Sequence, residues 1–136
     1  PSLLINNIFH VETGTGPALS YEPPWADPFE IRHNDFVTGG KCVVNAIDVP
    51  VCAANIAEVN ALNGNGIVIA SDNVSVSPAY VAPAPKQQTV AGYHLDATCA
   101  LKGLGEPSPQ VPVDYDGDPR GDGNASYPEI GPDECK

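Results

Sequence analysis

The chain has 136 residues and a net charge of −11, from 17 acids against 6 bases. So acidic a surface repels phosphate, which argues against nucleic acid or an anionic membrane as partner and suits divalent cations. No apolar run approaches the ~20 residues of a membrane span.

The length corresponds to one domain over 1–136, with a β-rich body over 1–105 and an acidic, Pro/Gly-rich segment over 106–136. Charged residues are only 17 % of the chain, and 13 Gly and 15 Pro accompany them, a balance that favours strands and loops over helices. The chain starts at Pro1 and contains no Met, which reads as a processed product, most simply one that has lost a signal peptide. Cys42, Cys52, Cys99 and Cys135 contain no C-x-x-C pair, so a zinc knuckle or redox motif is disfavoured. An even cysteine count in a processed chain points to two disulfides and to a secreted or cell-surface location. Three pairings are possible; Cys42–Cys52 with Cys99–Cys135 is favoured because each bridge closes a local loop.

Taken in order, Ser2 to Val11 reads as a first strand and Gly14 to Pro28 as a loop carrying Trp25. Phe29 to Val37 reads as a second strand, Gly39-Gly40 as a turn, and Lys41 to Val49 as a third strand. Between Pro50 and Leu62 the apolar spacing becomes helical through Cys52, Ile56 and Val59, with Asp48 and Pro50 as start signals and Gly64 as a stop. Gly66 to Ser71 and Val74 to Tyr80 read as strands joined by a hairpin turn at Asp72-Asn73, and Pro83 to Pro85 breaks the sheet. Thr89 to Ala100 shows the cleanest alternation, with Ala91, Tyr93, Leu95, Ala97 and Cys99 on one face. No internal repeat is evident.

The expected fold is therefore mainly β, with α+β as the neighbouring class. It comprises an antiparallel sheet or β-sandwich, one short helix near 50–62 and a long acidic C-terminal loop, stapled by disulfides. Core candidates are Leu4, Ile8, Phe29, Ile31, Val43, Ile56, Val59, Ile67, Ile69, Val76, Tyr93 and Leu95.

The acidic segment, with eight acids, two bases and six prolines from Glu106 onward, holds the sharpest chemical motif. Asp114, Asp116, Asp118, Asp122, Asn124, Ser126 and Glu129 supply oxygens at alternating positions in a Gly-rich stretch, a pattern that suits Ca2+. Neither register of an EF-hand loop fits: one puts Pro119 where Gly is needed and Ala125 at the closing Glu, the other puts Arg120 at a ligand position. Two readings stand: a looser calcium loop, and a solvated acidic turn region that binds no ion. Arg120-Gly121-Asp122 spells an adhesion tripeptide, a three-residue match that chance explains. Asn73-Val74-Ser75 and Asn124-Ala125-Ser126 match the glycosylation acceptor pattern. His10, His33 and His94 lie on separate predicted strands at no ligand spacing and read as structural or surface histidines.

Nucleophile-elbow, H-E-x-x-H and phosphate-loop motifs are absent from the sequence, so nothing in it points to catalysis. The function expected is a non-catalytic extracellular structural subunit of a surface fibre, coat or larger assembly, with a protein partner or self-association. The alternatives are a calcium-stabilised adhesion or recognition module, and a small secreted metal-dependent enzyme or enzyme subunit.

Overall fold

The structure, a computed structural model, describes residues 2–11, 16–21, 29–38, 42–46, 51–62, 67–81, 90–121, 127–131, 133 and 135. Trp25, Gly39-Gly40, Asp48, Pro50, Gly64 and Pro83 to Pro85 lie outside them. The strands are β1 (Ser2–Ile5), β2 (Ile8–Val11), β3 (Leu19–Tyr21), β4 (Phe29–Arg32), β5 (Asp35–Thr38), β6 (Val44–Ala46), β7 (Val51–Ala53) and β8 (Ile67–Ser71). One short helix, α1 (Ile56–Asn60), stands between β7 and β8.

The strands form three small sheets, ordered β1-β4-β8, β2-β5 and β3-β6-β7. Among the described strands every pairing is parallel except that of β6 with β7, which is antiparallel. The antiparallel sheet expected from the sequence is thereby corrected. Successive coils of chain lay one strand in each sheet, and each coil stacks on the next, as in a parallel β-solenoid. The first coil is β1, β2 and β3; the second is β4, β5 and β6; β8 opens a third. The segments expected as single strands, 2–11 and 29–37, are each two strands separated by a corner.

The corners explain why the chain does not fold back on itself after β1, β4 and β8. Asn6, His33 and Asp72 occupy the same place in three coils, and all three are left-handed, with φ of 58°, 52° and 55°. A tight hairpin of type I′ needs two such residues in succession, whereas here a single one turns the strand into the next sheet. Asp72-Asn73 is accordingly a corner and not a hairpin turn. Asn7, Asn34 and Asn73 follow these residues and stack as a ladder. Asn7 Nδ2 donates to Asn34 Oδ1 at 3.1 Å, and Asn34 Nδ2 donates to Asn73 Oδ1 at 3.0 Å. The backbone N–H groups of Asn7 and Asn34 donate to the same oxygens, at 3.0 and 3.1 Å. Asn60, the last residue of α1, closes the ladder by accepting from Asn73 N and Nδ2. The rungs are 27 and 39 residues apart in sequence, and the longer interval accommodates β7 and α1. The helix itself starts later than expected. Asn55 caps it by accepting from Glu58 N, and Glu58 Oε2 accepts from Ala54 N in return, a capping-box arrangement.

Register decides what lies inside. Leu4, Ile31 and Ala70 align across the first sheet, and the latter two are fully enclosed. Phe9 stacks on Phe36 with ring centroids 4.8 Å apart, contributing about 1 kcal/mol beyond the area the pair buries. These residues form one core with Val43, Val44, Ala53 and Val59. The bulge between Phe29 and Glu30 sets Ile69 opposite Glu30, on the outer row with Leu3, where Ile69 is 43 % exposed. Ile69 is therefore not a core residue, because a one-residue change of register moves a side chain to the other face. The side chains of Phe29 and Ile67 lie outside the described residues.

The stretch expected as the cleanest strand is not one. Val90–Tyr93 is a 3-10 turn, and only Leu95 bridges, to Tyr80. Asp96 Oδ1 accepts from both N and Oγ1 of Thr98, a local turn that ends any ladder. Gly92, Leu95 and Cys99 are the buried positions, a spacing of three and four, so Tyr93 stays 45 % exposed. Val74 to Tyr80 likewise forms isolated bridges instead of a strand.

Leu95, Cys99, Leu101, Ile130 and Cys135 make a second core, against which Ile8, Val74 and Val76 pack from the coils. The C-terminal segment is thus strapped along the corner column. Asn6 and Glu106 exchange two hydrogen bonds of 2.7 Å, His33 Nδ1 meets Leu104 O at 2.8 Å, and Gly131 N donates to Asn6 O. Arg32 pairs with Glu106 across the same seam. Gly105 is required there, since a Cβ would stand 2.6 Å from Glu129 O. Disulfides join Cys42 to Cys52 and Cys99 to Cys135, with Cα separations of 5.5 and 6.0 Å. The first ties the approach to β6 onto β7, and the second ties the strap's two ends together.

Candidate functional site

Where the strap passes over the coils it folds on one carboxylate. Asp114 Oδ1 accepts from the backbone N–H of Asp116 and of Asp118, each at 2.9 Å. Asp114 N donates to Asp118 O, and Gly117 completes the turn at φ 90°. Asp114 therefore shapes the turn, and its buried Oδ2 has no hydrogen-bond partner among the described residues. The turn presents Asp116 toward His94, whose Nδ1 lies 3.5 Å from Asp116 Oδ2. The same nitrogen lies 3.0 Å from Asp133 Oδ2, which also accepts from Leu95 N at 3.0 Å.

His94, Asp116 and Asp133 are the one group of three or more potential metal ligands among the described residues, with ligand atoms within 4.8 Å of one another. Of the residues singled out in the sequence, Asp116 is in this group, Asp114 and buried Glu129 are beside it, and Asp118 is on the exposed side of the turn. Asp122, Asn124 and Ser126 lie outside the described residues. His94 and Asp133 were not legible as partners of Asp116, because 94, 116 and 133 share no local spacing. His33 and His10 are engaged elsewhere, the latter stacked on Tyr80 at 6.1 Å.

Arg120 is half-buried beside this cluster and donates to Glu129 O at 2.7 Å. Burial lowers the proton affinity of its guanidinium, against which the charges of Asp114, Glu129 and Asp133 act. So engaged, with Gly121 buried, Arg120 is not displayed as an adhesion tripeptide requires. Asn73 is buried with both ends of its amide bonded, which leaves no acceptor for a glycan there.

A groove of about 1060 Å³ runs between the coils and the strap, lined by Ile8, His10, Tyr80, Tyr93, Glu106, Val113, Tyr115 and Arg120 among others. Tyr80 and Tyr93 meet edge to face in its wall, 5.7 Å apart. Asp35 lies fully buried with Oδ1 accepting from Val76 N, and burial pushes its carboxyl up to about 6. Tyr80 is raised too, first by its own burial and then by the charge of Asp35. The chain matches no protein-family model, no curated protein and no solved structure. Among the described residues no helix is long and apolar enough to cross a membrane.

Proposed function

We propose that the chain is a non-catalytic extracellular structural module that works within a surface fibre, coat or larger assembly. The observation that carries this reading is the edge of the coil stack. In the sheet orders, β1, β2 and β3 are each an outer strand, and all three belong to the first coil. A coil added there extends three parallel ladders at once, whether it comes from the same polypeptide or from another subunit. The two disulfides support an oxidising location. Sedimentation velocity over a hundredfold concentration range, with electron microscopy of the most concentrated sample, tests association between subunits. Association is expected; a strictly monomeric protein at every concentration contradicts it.

The groove supports a second reading, a recognition module. Tyr93 and Tyr115 offer exposed aromatic faces beside Glu106 and Arg120, the mixture of apolar wall and few polar groups usual in ligand sites. Calcium at the Asp114–Glu129 segment belongs to this reading, and unchanged melting in excess chelator removes the calcium from it.

A further inference from the structure

We propose that His94, Asp116 and Asp133 form a site for a divalent transition metal of the zinc class, which takes Asp116 from the segment read as a calcium loop. Three segments distant in sequence converge there: the chain following the 3-10 turn, the turn built on Asp114, and the end of the strap beside Cys135. The two separations from the His94 nitrogen suit a shared ion, and all the ligand atoms lie within 4.8 Å of one another. On a tetrahedral zinc with bonds of about 2.0–2.1 Å, neighbouring ligand atoms stand about 3.3 Å apart. His94 Nδ1 is 3.0 Å from Asp133 Oδ2 and 3.5 Å from Asp116 Oδ2.

An independent feature points to a ligand. Asp133 is only 2 % exposed, yet its Oδ1 has no hydrogen-bond partner among the described residues. A buried carboxylate oxygen without a partner is costly and calls for a cation or a donor. Oδ2, the oxygen that faces His94, also accepts from Leu95 N–H, which fixes the orientation of the carboxylate. Neutral imidazole and two carboxylates balance a dication. Binding through Nδ1 requires the tautomer with its proton on Nε2, which leaves the Nδ1 lone pair for the metal. An imidazole nitrogen among three ligands favours zinc over calcium, which takes six to eight oxygens. Three protein ligands leave the fourth position for water. A metal there fastens the Asp116 turn and the end of the strap to the segment at His94.

The test is calorimetric titration of zinc chloride into the oxidised full-length chain, with melting followed in parallel. One zinc per chain is expected, together with a rise of several degrees in melting temperature at saturation. Asp116→Asn, at an exposed position, and His94→Gln should each weaken binding at least about tenfold while circular dichroism stays unchanged. Cobalt(II) should give the strong visible absorption of a tetrahedral site. Absence of saturable zinc binding, binding insensitive to both variants, or saturation by calcium but not zinc overturns the proposal. Sedimentation in chelator is independent of the metal, so loss of the zinc site leaves the structural-module reading standing.

Discussion

Asn34 is the middle rung of the ladder, and Asn34→Ala should be among the most destabilising single substitutions in the chain. Its amide is fully buried and donates to Leu4 O at 2.7 Å, to Arg32 O at 3.0 Å and to Asn73 Oδ1. Its oxygen accepts from the backbone and the side chain of Asn7. Alanine strands Asn7 N–H and Leu4 C=O at the centre of the stack. Each stranded group costs about 1–3 kcal/mol, and the vacated volume adds to that. Partial access of water at Asn7 reduces the sum, which leaves an expected loss of about 3–5 kcal/mol. Set against total stabilities of roughly 5–15 kcal/mol, this is a large fraction. Asn60→Ala, at the end of the ladder, should cost less, about 1–2 kcal/mol, because among the described residues the Asn60 side chain bonds to Asn73 alone. The assay is guanidinium unfolding of the oxidised protein at neutral pH, followed by circular dichroism. A loss below about 0.5 kcal/mol for Asn34→Ala, or a greater loss at Asn60, refutes the ladder's role.

Asp35 should make stability fall as pH rises. Its folded pKa of about 6 lies above the ordinary value of 3.8, so its contribution is complete below pH 3.8 and is lost as pH climbs through 6. The shift corresponds to about 3 kcal/mol, and the stability difference between wild type and Asp35→Asn should change by roughly that amount between pH 3.5 and 7.5. A difference that does not vary with pH contradicts the burial argument. Replacing Cys99 and Cys135 together by Ser opens a loop spanning 36 residues and should cost roughly 4 kcal/mol in chemical denaturation. Opening Cys42–Cys52, which spans 10, should cost roughly 3 kcal/mol. Arg120→Met should destabilise by about 2–4 kcal/mol, because Asp114, Glu129 and Asp133 lose their countercharge and Glu129 O loses its donor. A neutral effect on the urea midpoint counts against that cluster.

Much of the β content was legible in the sequence, and the topology was not. Ile31, Val43, Val59 and Leu95 are buried as their apolar character suggests, and a short helix does follow Pro50. The corners were missed because each coil gives its pattern only once. Leu4-Ile5-Asn6-Asn7-Ile8-Phe9, Ile31-Arg32-His33-Asn34-Asp35-Phe36 and Ala70-Ser71-Asp72-Asn73-Val74-Ser75 share only the asparagine as an identical residue. What repeats is a backbone requirement, one left-handed residue before an inward-facing amide, which Asn, His and Asp can all satisfy. The alternation around Tyr93 was real in composition but not in structure. Asp96 and Gly92 favour turns, and within this stretch Leu95 makes an isolated bridge to Tyr80. For the candidate site, the acidic segment pointed to Asp116. His94 and Asp133 become its neighbours only through the strap and the Cys99–Cys135 bond.

The stacking of parallel coils carries the rest of the account, and nuclear Overhauser contacts in an isotope-labelled sample test it most directly. The registers require contacts between the rings of Phe9 and Phe36 and between the side-chain amides of Asn7 and Asn34 and of Asn34 and Asn73. Those three contacts, with no Hα–Hα contacts between β1 and β4, are the expected result. Close Hα–Hα pairs between those strands, which only an antiparallel pairing produces, would contradict it.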